Sequence, residues 1–155
     1  MTFLKILNKK EKAEIEKKLK EQFGVDSIPG IIAQRGEERL FLFSGNFSEG
    51  DIKHLEKFAF IERIGIYFAK IIGNDLRLSI EGYQILKNQI TKNIFSLDSQ
   101  QTEDWMKGRD LQIKTGKRNF LIMKNGSDFL GTGKASEEKI GNFIPKNRRL
   151  KERMQ

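Results

Sequence analysis

The 155-residue sequence contains no cysteine, one histidine, one tryptophan and two prolines. Without thiols it can form neither a disulfide nor a thiolate metal site. A single imidazole, His54, rules out a histidine metal cluster and reads as a structural or exposed residue. There is no Cys/His pair and no G-x-S-x-G nucleophile elbow. No glycine-rich cofactor loop with an acidic partner is present. Gly131-Thr132-Gly133-Lys134 fails as a nucleotide loop, because Asp128 stands where the first Walker glycine belongs and Ala135 follows the lysine. The carboxylates are scattered among lysines, so no general acid/base pair stands out. These absences lead us to expect a protein that is not an enzyme and that has no metal and no cofactor. No apolar run approaches the roughly 20 residues of a membrane span. The start, MTFLKILNKK, carries an apolar patch too short for a secretory signal. A soluble cytoplasmic protein with no membrane partner is expected.

What the chain has is positive charge, unevenly placed. The net charge is +8. Residues 1–90 hold 15 Lys/Arg against 13 Asp/Glu, and residues 91–155 hold 14 against 8. The excess therefore sits in the C-terminal part, as a polyanion-binding surface requires; a solvated lysine-rich surface would show the same asymmetry. Hydrophobic content of 37% and twelve Phe suffice for a core.

Asn8 and Glu11 have capping-box spacing and start a helix over Lys9 to Gln22. Ile15, Leu19 and Phe23 form its apolar stripe, and Gly24 ends it. Gly30 to Gln34 and Arg39 to Phe43 read as a hairpin. Ser48 and Asp51 can start a second helix, with Ile52, Leu55 and Phe58 inward. Ile64 to Ile72 is a long apolar strand, with Gly65 as a bulge or close-approach point. Gly73-Asn74-Asp75 turns into a half-buried strand, Leu76 to Ile80, and Glu81 to Leu86 is helical. The boundary falls around Asn88 to Lys92. No Pro/Gly/Ser-rich linker marks it, so two tightly joined parts are expected to pack as one body.

Asn93 to Leu97 then reads as a strand. Asp98 and Gln101 form a second capping box on a helix from Ser99 to Lys107, stopped by Gly108. Leu111 to Ile113 is extended. Phe120 to Met123 leads into the hairpin signal Asn125-Gly126, and Phe129 to Lys134 returns beside it. From Lys134 to Gln155 there are seven Lys/Arg against three Asp/Glu.

This order of elements, with Gly108 after the helix and an FLGTGK-type returning strand, resembles the PUA RNA-binding domain. Asp128-Phe129-Leu130-Gly131-x-Gly133-Lys134, followed by Asn142-Phe143-Ile144-Pro145-Lys146-x-Arg148, resembles the PUA-type module at the C-terminus of Fmu/Sun-type RNA cytosine methyltransferases. Their catalytic cysteines cannot exist here, so that activity does not carry over. Upstream, Gly65-Ile66-Tyr67-Phe68-Ala69-Lys70, Leu76 to Ile80 and Tyr83 resemble the pre-PUA half of small ribosome-biogenesis factors of archaea and eukaryotes.

The resemblance implies an α+β fold, with an N-terminal α/β pre-PUA half (1–91) packed on a C-terminal PUA-like β-barrel (92–155). It implies binding of RNA, ribosomal RNA before transfer RNA, with an RNA methyltransferase or ribosome-assembly factor as protein partner. In PUA domains the glycine loop lies on the RNA surface. The candidate contacts are Lys107, Gly108, Arg109, Lys134, Phe143, Lys146, Arg148 and Arg149. A glycine allows φ > 0 and close backbone approach, and arginine forks suit phosphate. Gly108 also serves as a plain helix stop. Phe143 is either a base-stacking ring or core, and the tail beyond Pro145 either binds or frays. Trp105 reads as core. The alternative function is a protein-interaction adaptor whose basic tail only solubilises.

Overall fold

A computed structural model of the protein describes residues 4–43 and 65–151. The expected helix at Ser48 and Asp51, with Ile52, Leu55, Phe58 and His54, lies outside the described residues. The chain divides into two compact units, Met1–Thr91 and Lys92–Gln155. No helix of the described residues is long and apolar enough to cross a membrane.

The N-terminal unit is a five-stranded antiparallel meander, β1 (Leu4–Ile6), β2 (Ile31–Arg35), β3 (Arg39–Phe43), β4 (Ile66–Ile72) and β5 (Asp75–Leu78), in sequence order. Helix α1 (Lys9–Phe23) starts in the expected capping box and ends at Gly24 with φ 79°. Its stripe of Ile15, Leu19 and Phe23 is buried. Gln22 clamps β5 by accepting from Leu76 N at 2.8 Å and donating to Leu76 O at 3.1 Å. An edge strand is thereby partly satisfied, which blunts its tendency to pair with another chain. Alternation gives the sheet two apolar faces. Ile32, Leu42, Leu76 and Leu78 are buried, while Ala33, Phe41 and Phe43 form a separate cluster with Leu4, Ile6 and Ile31. Gly65 is a close-approach point, since a Cβ there would stand 2.6 Å from the Phe43 ring.

One expectation in this unit is corrected, and one strand is added. The strand from Leu76 stops at Leu78 rather than Ile80, because Ser79 is the N-cap of α2 (Ile80–Ile85) and accepts from Gly82 N at 2.9 Å. Its hydroxyl also donates to Phe68 O at 3.0 Å, tying α2 to β4. Strand β1 is additional: its three residues gain their extended form only by pairing with β2.

The C-terminal unit is built on β6 (Ile94–Ser96), α3 (Ser99–Met106), β7 (Phe120–Asn125), β8 (Asp128–Ala135) and β9 (Ile140–Asn142), with a 3-10 turn at Lys146–Arg148. The sheet order is β6-β7-β8-β9, with β6 parallel to β7 and the rest antiparallel. The Asp98/Gln101 capping box starts α3 as expected. The hairpin loop is Gly126-Ser127, since Asn125 pairs with Asp128. Gly126 has φ 60°, the positive value a type II′ turn needs at its first position.

The expected barrel is not found: among the described residues the sheet is open. Leu111 bridges Ile140 on the far side of β9, but the chain that follows makes no ladder. Residues 114–119, polar and interrupted by Gly116, lack the alternation that a closing strand needs. The core gathers Leu97, Trp105, Leu111, Leu121, Met123, Ala135, Ile140 and Ile144.

Candidate functional site

Trp105 is fully buried and organises the C-terminal unit, as its core reading requires. Its indole N–H donates to Leu130 O at 2.7 Å. Buried indoles need such a partner. The Gly131-x-Gly133 pattern makes room for the ring. A Cβ on Gly131 would meet Ile144 Cγ1 at 2.8 Å and Trp105 Nε1 at 3.1 Å, and one on Gly133 would meet Ile140 Cγ2 at 2.6 Å and Trp105 Cη2 at 3.0 Å. These glycines serve packing, as glycine in a strand does where another group comes close.

The glycine after α3 is occupied differently from the expectation. Gly108 has φ 90° and lies in the left-handed region. The space a Cβ would fill holds the Cδ, Nε and Cζ of Arg149. Close approach on the Cβ side is therefore made by a side chain of this protein, forty-one positions further along, and Gly108 is half-buried. Arg149 Nε donates to Ile144 O at 2.9 Å, a bond that leaves the terminal guanidinium N–H groups to other acceptors. Leu150 N donates to Met106 O at 2.7 Å, so the tail is anchored to the end of α3. Fraying beyond Pro145 does not begin before this point.

Asn142 is the residue that sequence reasoning left without a role. Its amide donates to Trp105 O at 2.8 Å and Arg109 O at 2.9 Å, and its oxygen accepts from Ile144 N at 2.8 Å. Its backbone N–H donates to Asp110 Oδ1 at 2.9 Å. It thus ties the glycine loop to the segment that leads into the tail. Asp110 also accepts from Lys139 Nζ at 2.7 Å. The Lys139 hydrogen bond, helped by Asn142 N–H and by the charges of Lys139 and Arg149, holds the Asp110 carboxyl below its ordinary range, against the opposing effect of desolvation.

The predicted contacts fall into two groups. Lys107, Gly108, Arg109 and Arg149 gather at the end of α3, and Lys146 and Arg148 lie exposed in the 3-10 turn that leads to Arg149. Within this group Lys107 pairs with Glu103 at 3.3 Å and Arg109 with Asp104 at 2.9 Å, so part of their charge is offset locally.

Lys134 and Phe143 form the second group around Phe120. Lys134 Nζ lies 4.5 Å from the Phe120 ring centroid and donates to Arg118 O at 2.8 Å. The Phe143 ring packs edge-on against Phe120, with centroids 6.1 Å apart, and is 41% exposed. Phe143 is therefore not core. Nearby, Arg118, Lys134, Ser136, Glu137 and Lys139 line an open cavity of about 600 Å³ whose charges are mixed. Arg118 and Phe120 were missed because Arg118 sits in a featureless polar stretch and Phe120 reads only as strand core. Among the described residues no group of His, Cys, Asp and Glu could hold a metal ion.

Residues 92–150 match the family of the methyltransferase RsmF PUA domain. The match falls within the C-terminal unit. The match supports a PUA-like RNA-binding domain in that unit. No curated protein matches the chain.

Proposed function

We propose that this protein binds structured RNA without performing chemistry on it, through the tail turn and the end of α3. The supporting observation is the anchored tail: Arg149 seated on Gly108 and Leu150 bonded to Met106 hold Lys146 and Arg148 in a fixed, exposed turn on a PUA-like unit. Phosphate contacts from these cations supply most of the affinity and make it salt-sensitive. Shape and unpaired bases supply the selectivity. Ribosomal RNA during subunit maturation is the favoured target, with transfer RNA the competitor, and residues 1–91 act as a pre-PUA half that can hold a methyltransferase or assembly factor.

Crosslinking the protein to RNA in cells and sequencing the attached fragments tests this reading. Enrichment of ribosomal RNA supports it, and the absence of RNA above an uncrosslinked control contradicts it. The adaptor reading predicts instead a protein partner that stays bound after nuclease treatment while crosslinked RNA is lacking.

A further inference from the structure

Phe143 is a large ring held out to solvent by a chain that is pinned on both sides of it. Asn142 before it is fixed by four hydrogen bonds, and Ile144 after it is buried. Phe143 N donates to Thr132 O at 3.2 Å, and the ring is steadied edge-on by Phe120. Its exposure is therefore built in and is not a fraying end. Cations are close to it in the fold and along the chain. Lys134, fixed by Arg118 O and the Phe120 face, belongs to the same grouping, and Lys146 and Arg148 follow three and five residues further along the chain. An exposed aromatic with cations close by matches a nucleotide strand, in which each base offers a π-face and the phosphates on either side carry charge. A duplex offers no such base face along its length.

We infer that Phe143 is a stacking platform for one unpaired RNA base, with Lys134, Lys146 and Arg148 taking the adjoining phosphates. The inference rests on the RNA-binding reading above and adds a target class: RNA with a single-stranded flank or bulge beside its folded part.

Fluorescence anisotropy with two probes, a labelled uridine homopolymer and a blunt-ended RNA duplex, tests it on the full chain. Phe143→Ala is expected to weaken homopolymer binding about tenfold or more, the loss of one stacked base. Duplex binding should change by less than about twofold. Phe143→Leu keeps an apolar side chain but no π-face, and should lose nearly as much as alanine, whereas Phe143→Trp should retain affinity. If alanine unfolds the unit, the leucine and tryptophan pair decides the matter. Unchanged homopolymer binding by the leucine variant, or equal weakening on both probes, overturns the platform. Failure of the wild-type protein to bind either probe at low salt would instead overturn the RNA-binding reading itself.

Discussion

The side chain of Arg149 occupies the place where a Cβ of Gly108 would lie, so the glycine at the end of α3 is the seat of the C-terminal tail. A methyl group there meets Arg149 and also strains a backbone at φ 90°. Gly108→Ala should cost about 1–2 kcal/mol from the left-handed conformation, with the displaced arginine adding to it. Arg149→Ala removes the collision but leaves the strain. The double variant should therefore be more stable than the sum of the single losses implies. Thermal melts of the four proteins check this, and strict additivity would show that the two residues do not share a seat.

Trp105, the only tryptophan, reports on the glycine pattern in β8. Gly131 has φ 119° and abuts the indole nitrogen, so Gly131→Ala meets both a backbone and a packing penalty. The expected loss is about 2–3 kcal/mol, together with a change in tryptophan fluorescence as the bond to Leu130 O is disturbed. Gly126→Ala makes a useful comparison. Gly126 has open space around it, so strain alone acts and the emission should stay as it is.

Asn142→Asp replaces two N–H donors with carboxylate oxygen against the carbonyls of Trp105 and Arg109. The side chain is only partly buried, so a loss of about 1–3 kcal/mol is expected. RNA affinity should fall with it, because the same residue holds Phe143 and Ile144 in place. A melting temperature within error of the wild type would remove Asn142 from this role.

Asp110 carries a pH signature. Its folded-state pKa is depressed, so its contribution to stability is fully present above the ordinary aspartate value of about 4. That contribution is lost as pH falls through the lower folded-state value. Asp110→Asn should therefore destabilise the protein at neutral pH. Discounted for solvent exposure, the effect is about 0.5–1 kcal/mol. The difference from wild type should shrink as the pH is lowered below about 4. Melts across that range check the sign.

Local signals carried much of the fold. Both capping boxes, Asn8/Glu11 and Asp98/Gln101, involve residues three apart, and short-range hydrogen bonding makes such pairs readable. The stripe of Ile15, Leu19 and Phe23 was readable from its four-residue spacing. Contacts between distant positions were not. Strand β9 has only three residues and takes its form from β8 and Asp110. The seating of Arg149 on Gly108 joins positions that no periodicity links, and it changed the meaning of the glycine loop. The barrel was inferred from resemblance, and the stretch at 112–119 offers no ladder to close it. In the site, the cations were visible as composition, while the Phe120–Phe143–Lys134 grouping needed strand pairing to bring Phe120 opposite Lys134.

Contact between the anchored tail turn and RNA phosphate should show in the salt dependence of RNA binding. Affinity for a structured ribosomal RNA fragment is measured across a series of salt concentrations for the wild type, for Lys146→Gln with Arg148→Gln, and for a control neutralising Lys17, Lys18 and Lys20 on α1. The tail variant should lose affinity, and its log–log slope should flatten by about 0.7–0.9 for each phosphate contact removed, while the control keeps the wild-type slope. Equal flattening by the α1 control, or an unchanged slope in the tail variant, would contradict it.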